Sequence, residues 1–322
     1  MNRPKLITGI LFLFLCSTAV ADTFTDSINS LLMKSNNDSI KVNALISLSR
    51  YYFGSDPVIA IRYATQAKEL AAKTNNKKGV GLALKNIGIA RFNQGKLSEA
   101  LLNWQEALKV YISIGDQTGV SNLYSNIGAV YQQQGDDAKS LESHLKSLKV
   151  AESINDTLRI MTSYINIGAV YYNKPQNYGK ALESYFKALP LSEYLHDNDA
   201  IGAVTVNIGE IYFKRGDDTT ALKYFERSYQ AYGENSENTP YTLYDIGEVY
   251  QKRGDFAKAI QFHTSAFDKA KKLDSKVDMA ISLKQLARTY QKKNDLKKAI
   301  TTYKQAMDLA SGSNAKDRKS VV

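Results

Sequence analysis

The chain has 322 residues but contains only one cysteine, five prolines, three histidines and one tryptophan. The single cysteine, Cys16, sits in an apolar segment near the N-terminus, so a cleaved leader would remove the only thiol. That leaves no nucleophilic sulfur, no disulfide and no soft-metal ligand. The apolar run from Leu6 to Cys16 is too short to cross a bilayer. Arg3 and Lys5 before it, and Ala19-Val20-Ala21 ahead of Asp22, give it the form of a secretory signal over 1–21. Glycine-rich phosphate loops are missing too. Gly79-Val80-Gly81 follows no strand and has no third glycine, and no glycine stands five residues before Gly95-Lys96. The acids occur singly, and His144, His196 and His263 lie far apart. No metal site, cofactor site or catalytic constellation follows, so this segment reads as non-enzymatic. The net charge of +10 becomes +8 without Arg3 and Lys5, and it is interspersed with acids along the chain. This describes a solvated outer face and not a nucleic-acid stripe.

What is present is a repeat. Leu48, Gly88, Gly128, Gly168, Gly209, Gly247 and Ala287 follow one another at spacings of 40, 40, 40, 41, 38 and 40 residues. Further small residues recur twelve positions on (Ala60, Ala100, Ser140, Ala181, Ala221, Ala259, Ala299), with Ala181 displaced by one. A third set follows seven later at Ala67, Ala107, Ser147, Ala188, Ser228, Ala266 and Ala306. Small residues flanked by large apolar ones mark places where helices approach closely, so the unit is a helix pair stacked on its neighbours.

Local punctuation agrees with that period. In the third repeat Tyr124, Ile127, Val130 and Tyr131 recur at helical spacing, Gly135-Asp136 interrupts, and Leu141, His144, Leu145 and Leu148 resume it. Gly95, Gly216-Asp217, Gly254-Asp255 and Asn294-Asp295 repeat the interruption, and Gly115-Asp116 and Asn155-Asp156 join one pair to the next. Glycine or asparagine ends a helix in the left-handed region, and the aspartate oxygen caps the next one. Pro57 and Pro240 fit first helical turns, and Pro175 lies in the turn carrying the extra residue of the fourth repeat. Pro190 falls late in a second helix and is expected to kink or shorten it.

These signatures resemble the tetratricopeptide repeat family over residues 41–310. The family pattern places an aromatic three residues beyond the first small position, here Tyr131, Tyr171, Tyr212, Tyr250 and Tyr290. It places a bulky residue on the second helix, here Trp104, His144, Tyr185, Phe225, His263 and Tyr303. The period near 40 and the absence of the usual closing proline are departures that imply longer helices. The resemblance implies an all-α fold, a right-handed superhelical solenoid of about seven antiparallel helix pairs. It also implies that the first helices line a concave groove for a protein or peptide segment, with no cofactor.

Two residues before the small position stand Asn86, Asn126, Asn166 and Asn207, followed by Asp245 and Gln285. Side-chain amides offer donors and an acceptor, so this row forms either a ladder for a ligand backbone or a set of bonds between neighbouring helices. By analogy with the family, Phe92, Asn122, Gln132, Tyr172, Phe213, Tyr241, Tyr244, Glu210, Glu248, Lys214, Lys252, Lys284 and Arg288 are also expected on the groove wall. The aromatics serve there as anchors or as packing within the array. The lysine-and-asparagine clamp of some relatives is not reproduced, because Lys85 is followed by Ile89. His144 and His263 occupy packing positions of second helices, which reads as structural and not catalytic.

The array begins after a capping helix and linker (22–40), with Phe24, Ile28, Leu31 and Leu32 on one helical face. At the other end Ser311-Gly312-Ser313-Asn314 is expected to end the last helix. Residues 311–322 then form a linker closing on Asp317–Val322, a string that resembles a translated sequencing adapter. The native protein is therefore expected to continue past about Lys316. Together these features suggest an exported periplasmic module, the sensory input of a signalling protein whose missing part holds a membrane anchor and a kinase or cyclase. The alternative is a free periplasmic scaffold for envelope proteins.

Overall fold

The computed structural model describes residues 18–319, with side chains from 24 to 311. Residues 1–17, with Cys16 and most of the expected leader, lie outside the described residues, as do the last three of the tail. Among the described residues there are 15 α-helices and no strand. After α1 (Thr18–Lys34) come seven pairs in chain order. They are α2 (Asp38–Tyr51) and α3 (Pro57–Lys73), α4 (Lys77–Asn93) and α5 (Leu97–Ser113), α6 (Gln117–Gln133) and α7 (Asp137–Ser153), α8 (Thr157–Tyr172) and α9 (Tyr178–Tyr194). The remaining three are α10 (Asn198–Arg215) and α11 (Asp218–Tyr232), α12 (Thr239–Lys252) and α13 (Phe256–Lys272), α14 (Lys276–Lys292) and α15 (Leu296–Lys319). None of the helices is long and apolar enough to cross a membrane.

The turn chemistry is as the sequence implies. Gly95, Gly115, Gly135, Gly216 and Gly254 take positive φ, and so do Asn75, Asn155, His196, Asp274 and Asn294 in equivalent turns. At the next helix start the carboxylates of Asp116, Asp136, Asp156, Asp197, Asp217 and Asp255 accept backbone amide hydrogens. Each cap satisfies a donor that a helix end would leave open.

The fourth repeat breaks this pattern. Pro175–Asn177 form a 3₁₀ turn, and Lys174 is extended, as the residue before a proline must be. The chain divides at this point into two compact units, one ending at Asn173 and one starting at Lys174.

Two expectations about individual helices need correction. Pro190 lies inside α9, and of the two effects expected of it the shortening does not occur, since α9 keeps 17 residues, the same as α3 to α7. The proline removes one donor without ending the helix. The last helix does not stop at Ser311-Gly312-Ser313-Asn314, because α15 runs through that stretch to Lys319. None of those residues is a proline, and a glycine or serine inside a helix costs only about 1 kcal/mol or less.

The periodic small residues create room for a ring from the second helix of the pair. A Cβ on Gly88 would overlap the Trp104 indole. One on Gly128 would lie 2.5 Å from His144 Cε1, one on Gly209 2.7 Å from Phe225, and one on Gly247 2.5 Å from His263 Cε1. The first pair inverts the exchange, with Leu48 on α2 and Ala64 on α3 both fully buried at the corresponding positions. In the unit ending at Asn173, Gly81 and Gly119 both leave room for the buried Tyr111 ring. There Ser147 on α7 bonds Ser121 at 3.0 Å, Ser125 at 3.2 Å and Ser163 at 3.2 Å, tying α6 to α8. At the N-terminal end Phe24 of α1 stacks on Tyr51, and Leu32 packs on the core of the first pairs, so α1 covers the array's first face. In the unit from Lys174, Ser228 on α11 does work comparable to that of Ser147. It donates to Gly202 O at 2.9 Å and meets the Thr242 hydroxyl at 3.3 Å.

Candidate functional site

The first helices carry the candidate residues, and within each unit neighbouring ones touch: α2 with α4 and α6 with α8, then α10 with α12 and α12 with α14. Asn86, Asn126 and Asn166 hold one repeat register on α4, α6 and α8 of the first unit, and Asn207 holds it on α10 of the second, but these residues are used differently. Asn86 is fully buried, and its amide donates to Ile46 O of the preceding repeat at 3.4 Å. Asn126 on α6 and Asn166 on α8 are half-buried and make no side-chain hydrogen bond among the described residues. Asn207 returns its amide to Ala203 O of its own helix at 2.8 Å. Asp245 is buried, and Gln285 donates to Glu248 of the previous repeat.

Other predicted wall residues divide in the same way. In the first unit Phe92 is partly buried against Trp104, with ring centroids 5.8 Å apart, so it packs within the array. Asn122 accepts from Arg159 Nε at 3.1 Å, Gln132 is half-buried, and Tyr172 is half-buried at the end of α8. In the second unit Tyr244 is buried edge-on to Tyr241, whose hydroxyl donates to Glu210 of the preceding first helix. Burial, then Asp245 and Glu210, push the Tyr241 phenol well above its ordinary pKa. Glu210 also meets Lys214 at 3.7 Å, and Arg288 lies 4.0 Å from Glu248. Phe213 lies under the Lys252 ammonium at 4.9 Å, and that ammonium is bonded to Asp218 at 2.6 Å. Lys284 is exposed.

Three basic residues that sequence reasoning did not place in the site also belong to the first unit's first helices. Lys85 on α4 is half-buried, while Arg50 on α2 and Arg159 on α8 bear on it electrostatically. Burial and then the two arginines lower the Lys85 amine to about 8. The only signal in the sequence was the position of Lys85 three residues before Gly88. Arg159, at the start of the helix two repeats on, could not be linked to it by spacing.

His144 and His263 are buried against Gly128 and Gly247, with both ring nitrogens of each unpartnered. Burial lowers both to about 4, so they are neutral space-filling rings. No cluster of metal-binding side chains occurs among the described residues.

A model of the tetratricopeptide repeat matches residues 119–193, 200–272 and 242–311. Several solved structures share the fold. A signal transduction ATPase with numerous domains, carrying a tetratricopeptide repeat sensor, from Pyrococcus horikoshii is 16% identical with a TM-score of 0.66. The match covers 93% of this chain and 47% of that one. The apo quorum sensor NprR from B. thuringiensis is 16% identical with a TM-score of 0.58, covering 91% and 94%. A Rap protein complexed with competence and sporulation factor is 15% identical with a TM-score of 0.57, covering 91% and 93%. NprR is also known in complex with its cognate peptide NprX, at 18% identity and a TM-score of 0.58, covering 91% and 89%. A search of curated proteins finds no match.

Proposed function

Because this chain belongs to the tetratricopeptide repeat family, we propose that it is a binding module that holds an extended peptide or protein segment along its first helices. One observation carries the reading. Asn126 and Asn166 occupy the same register on adjoining helices, half-buried and without a hydrogen-bond partner among the described residues. Neither amide is sealed from solvent, so water holds it in the free protein, and a ligand backbone supplies both an acceptor and a donor in place of that water. Fold relatives that bind NprX or competence and sporulation factor support a peptide as occupant.

The test is selection of random amidated octapeptides on the immobilised full chain, compared with the Asn126→Ala/Asn166→Ala double variant. Retention should fall by about tenfold, the worth of one to two hydrogen bonds. Equal retention by a folded variant rejects the amide pair as a backbone holder.

In the same reading, the chain is exported and acts as the input region of a signalling protein. Ligand binding alters the stacking of helix pairs and thereby biases whatever follows. The leader-like pattern of residues 1–21 supports export, and the likeness to a quorum sensor and a repeat sensor supports the signalling role. A fusion to a reporter that is active only after export tests the first point. Sequencing the native reading frame beyond Lys316 tests the second, where a membrane span and a kinase or cyclase domain are expected.

A further inference from the structure

The last helix pair of the second unit leaves open a face that the two pairs before it cover. Leu222 of α11 shares a core with Ile246 of α12, and Tyr229 packs against Leu243 of α12. At the same repeat positions on α13, Ile260 and Phe267 pack on the core of Leu283 and Leu286 of α14. On α15 these positions are Ile300 and Met307, which are 57% and 67% exposed, and Leu296 one turn before Ile300 is 55% exposed. Tyr303 lies between them, half-buried, its hydroxyl donating to Gln291 Oε1 at 3.2 Å.

Successive residues of an α-helix are turned by about 100°, so Leu296, Ile300, Tyr303 and Met307 fall within about 60° of one another, in a stripe about 17 Å long. Their spacings of 4, 3 and 4 residues read the same in both directions. Two such helices packed antiparallel about a two-fold axis set Leu296 against Met307 and Ile300 against Tyr303, and each contact is made twice. The charged neighbours follow the same symmetry. Lys297 and Asp308 are exposed on one flank of the stripe and have no ion pair among the described residues. In the antiparallel arrangement Lys297 of one copy comes within about 3 Å, measured along the helix axis, of Asp308 of the other, whereas Lys304 stays about 7 Å along that axis from its own counterpart.

We propose that this face of α15 binds the same face of a second copy of the chain, as an isologous antiparallel helix pair. A contiguous apolar stripe on a solvated helix marks an interaction surface. The reversible spacing and the match of Lys297 to Asp308 select a second copy as its occupant, because a partner of another kind requires neither. Four large side chains from each copy make a small interface, below the roughly 1,200 Å² of stable complexes, so the dimer dissociates in the micromolar range. The inference uses no residue of the peptide-binding reading and does not depend on it.

Sedimentation equilibrium of the full chain from about 1 to 100 µM tests this, and a reversible passage from monomer to dimer centred near 10 µM is expected. Ile300→Glu and Met307→Glu each place a carboxylate in the seam and should weaken association at least about tenfold. Both residues are exposed in the single chain, so the variants stay folded, which circular dichroism checks. Lys297→Glu should weaken the dimer by about fivefold, since it sets two acid pairs face to face. The double variant Lys297→Glu/Asp308→Lys should restore the original affinity, because the two-fold axis regenerates both ion pairs with their signs exchanged. A chain that is still monomeric at about 100 µM overturns the second copy as occupant and leaves the face to a different partner. Association that Ile300→Glu and Met307→Glu leave unchanged also overturns the proposal, because it runs through another surface. Failure of the charge exchange to restore affinity overturns the antiparallel pairing.

Discussion

The first helices of the two units put their polar side chains to different ends. In the unit ending at Asn173 the first helices present cations and free amides: Arg50, Lys85, Asn126 and Asn166 make no ion pair or side-chain hydrogen bond among the described residues. In the unit starting at Lys174 several polar side chains of the first helices are tied to neighbouring repeats. Glu210 accepts from Tyr241, Glu248 accepts from Gln285, and Lys252 reaches back to Asp218. The backbone repeat is common to both, so the difference lies in side chains alone. A polar position on a stacked helix either braces the next repeat or stays available to a ligand, and each amide or carboxylate that braces is withdrawn from binding.

The largest expected effect tests what the units share. Gly128→Val in the first unit and Gly247→Val in the second each force a branched side chain into a buried imidazole. Each should destabilise its own unit by about 3 kcal/mol. Trp104 is the only tryptophan and is buried in the first unit, so its fluorescence follows that unit, while circular dichroism follows both. Gly128→Val should lower the Trp104 melting transition far more than Gly247→Val does. Equal lowering by the two would show that the units unfold as one and would break the comparison at its root.

Acid sensitivity should be nearly as large and present in both units. His144 and His263 are lowered from 6.5 to about 4 by burial, so between those values the unfolded chain binds more protons than the folded one. Stability is therefore complete above about pH 6.5. It falls as pH drops toward 4, by roughly 3 kcal/mol for each histidine. His144→Phe should remove the acid dependence of the Trp104 melting transition and leave that of the second unit. A Trp104 transition that still shifts between pH 6.5 and 4 in this variant would show that carboxylates and not the histidine control it.

Much of this was legible in the sequence, for a reason that also explains what was not. The glycine at 128 and the histidine at 144 belong to one pair, and a repeat displays such local exchanges many times over. The turns were readable because a left-handed residue followed by a capping aspartate is local chemistry. By contrast, whether Asn86 turns inward to Ile46 O or Asn126 stays open depends on how closely two repeats approach, which no single-repeat pattern encodes. The placing of Arg159 by a bond to Asn122 likewise draws on two repeats at once, 37 residues apart in the chain. The continuation of α15 past Ser311 went unread because weak helix formers lower a helix's stability without stopping it.

A smaller effect should separate the units. Tyr241→Phe removes the hydroxyl that donates to Glu210 between consecutive first helices, and Glu210 is itself buried. The loss should be about 1.5 to 3 kcal/mol in the second unit, the range for a bond to a charged acceptor. Chemical denaturation followed by circular dichroism measures it. A loss below about 0.5 kcal/mol would mean that the cross-repeat bonds of this unit are incidental. The contrast with the first unit would then weaken to one of charge alone.

The smallest effect on stability carries the most information about function. Asn126→Ala and Asn166→Ala remove amides that brace nothing among the described residues, so each should change stability by no more than about 0.5 kcal/mol. Alanine is also the better helix former, which offsets any small loss. Asn86→Ala, one repeat earlier at the same register, deletes a buried bond to Ile46 O and should cost about 1 kcal/mol. Denaturation of the three variants side by side therefore compares one residue type at one repeat position in two roles. If Asn126→Ala and Asn166→Ala prove as costly as Asn86→Ala, those amides are structural, and the open face assigned to the first unit is closed. If they are silent in stability, the polar groups kept on that face have no role in holding the repeats together, and a ligand is the remaining reason for their placement.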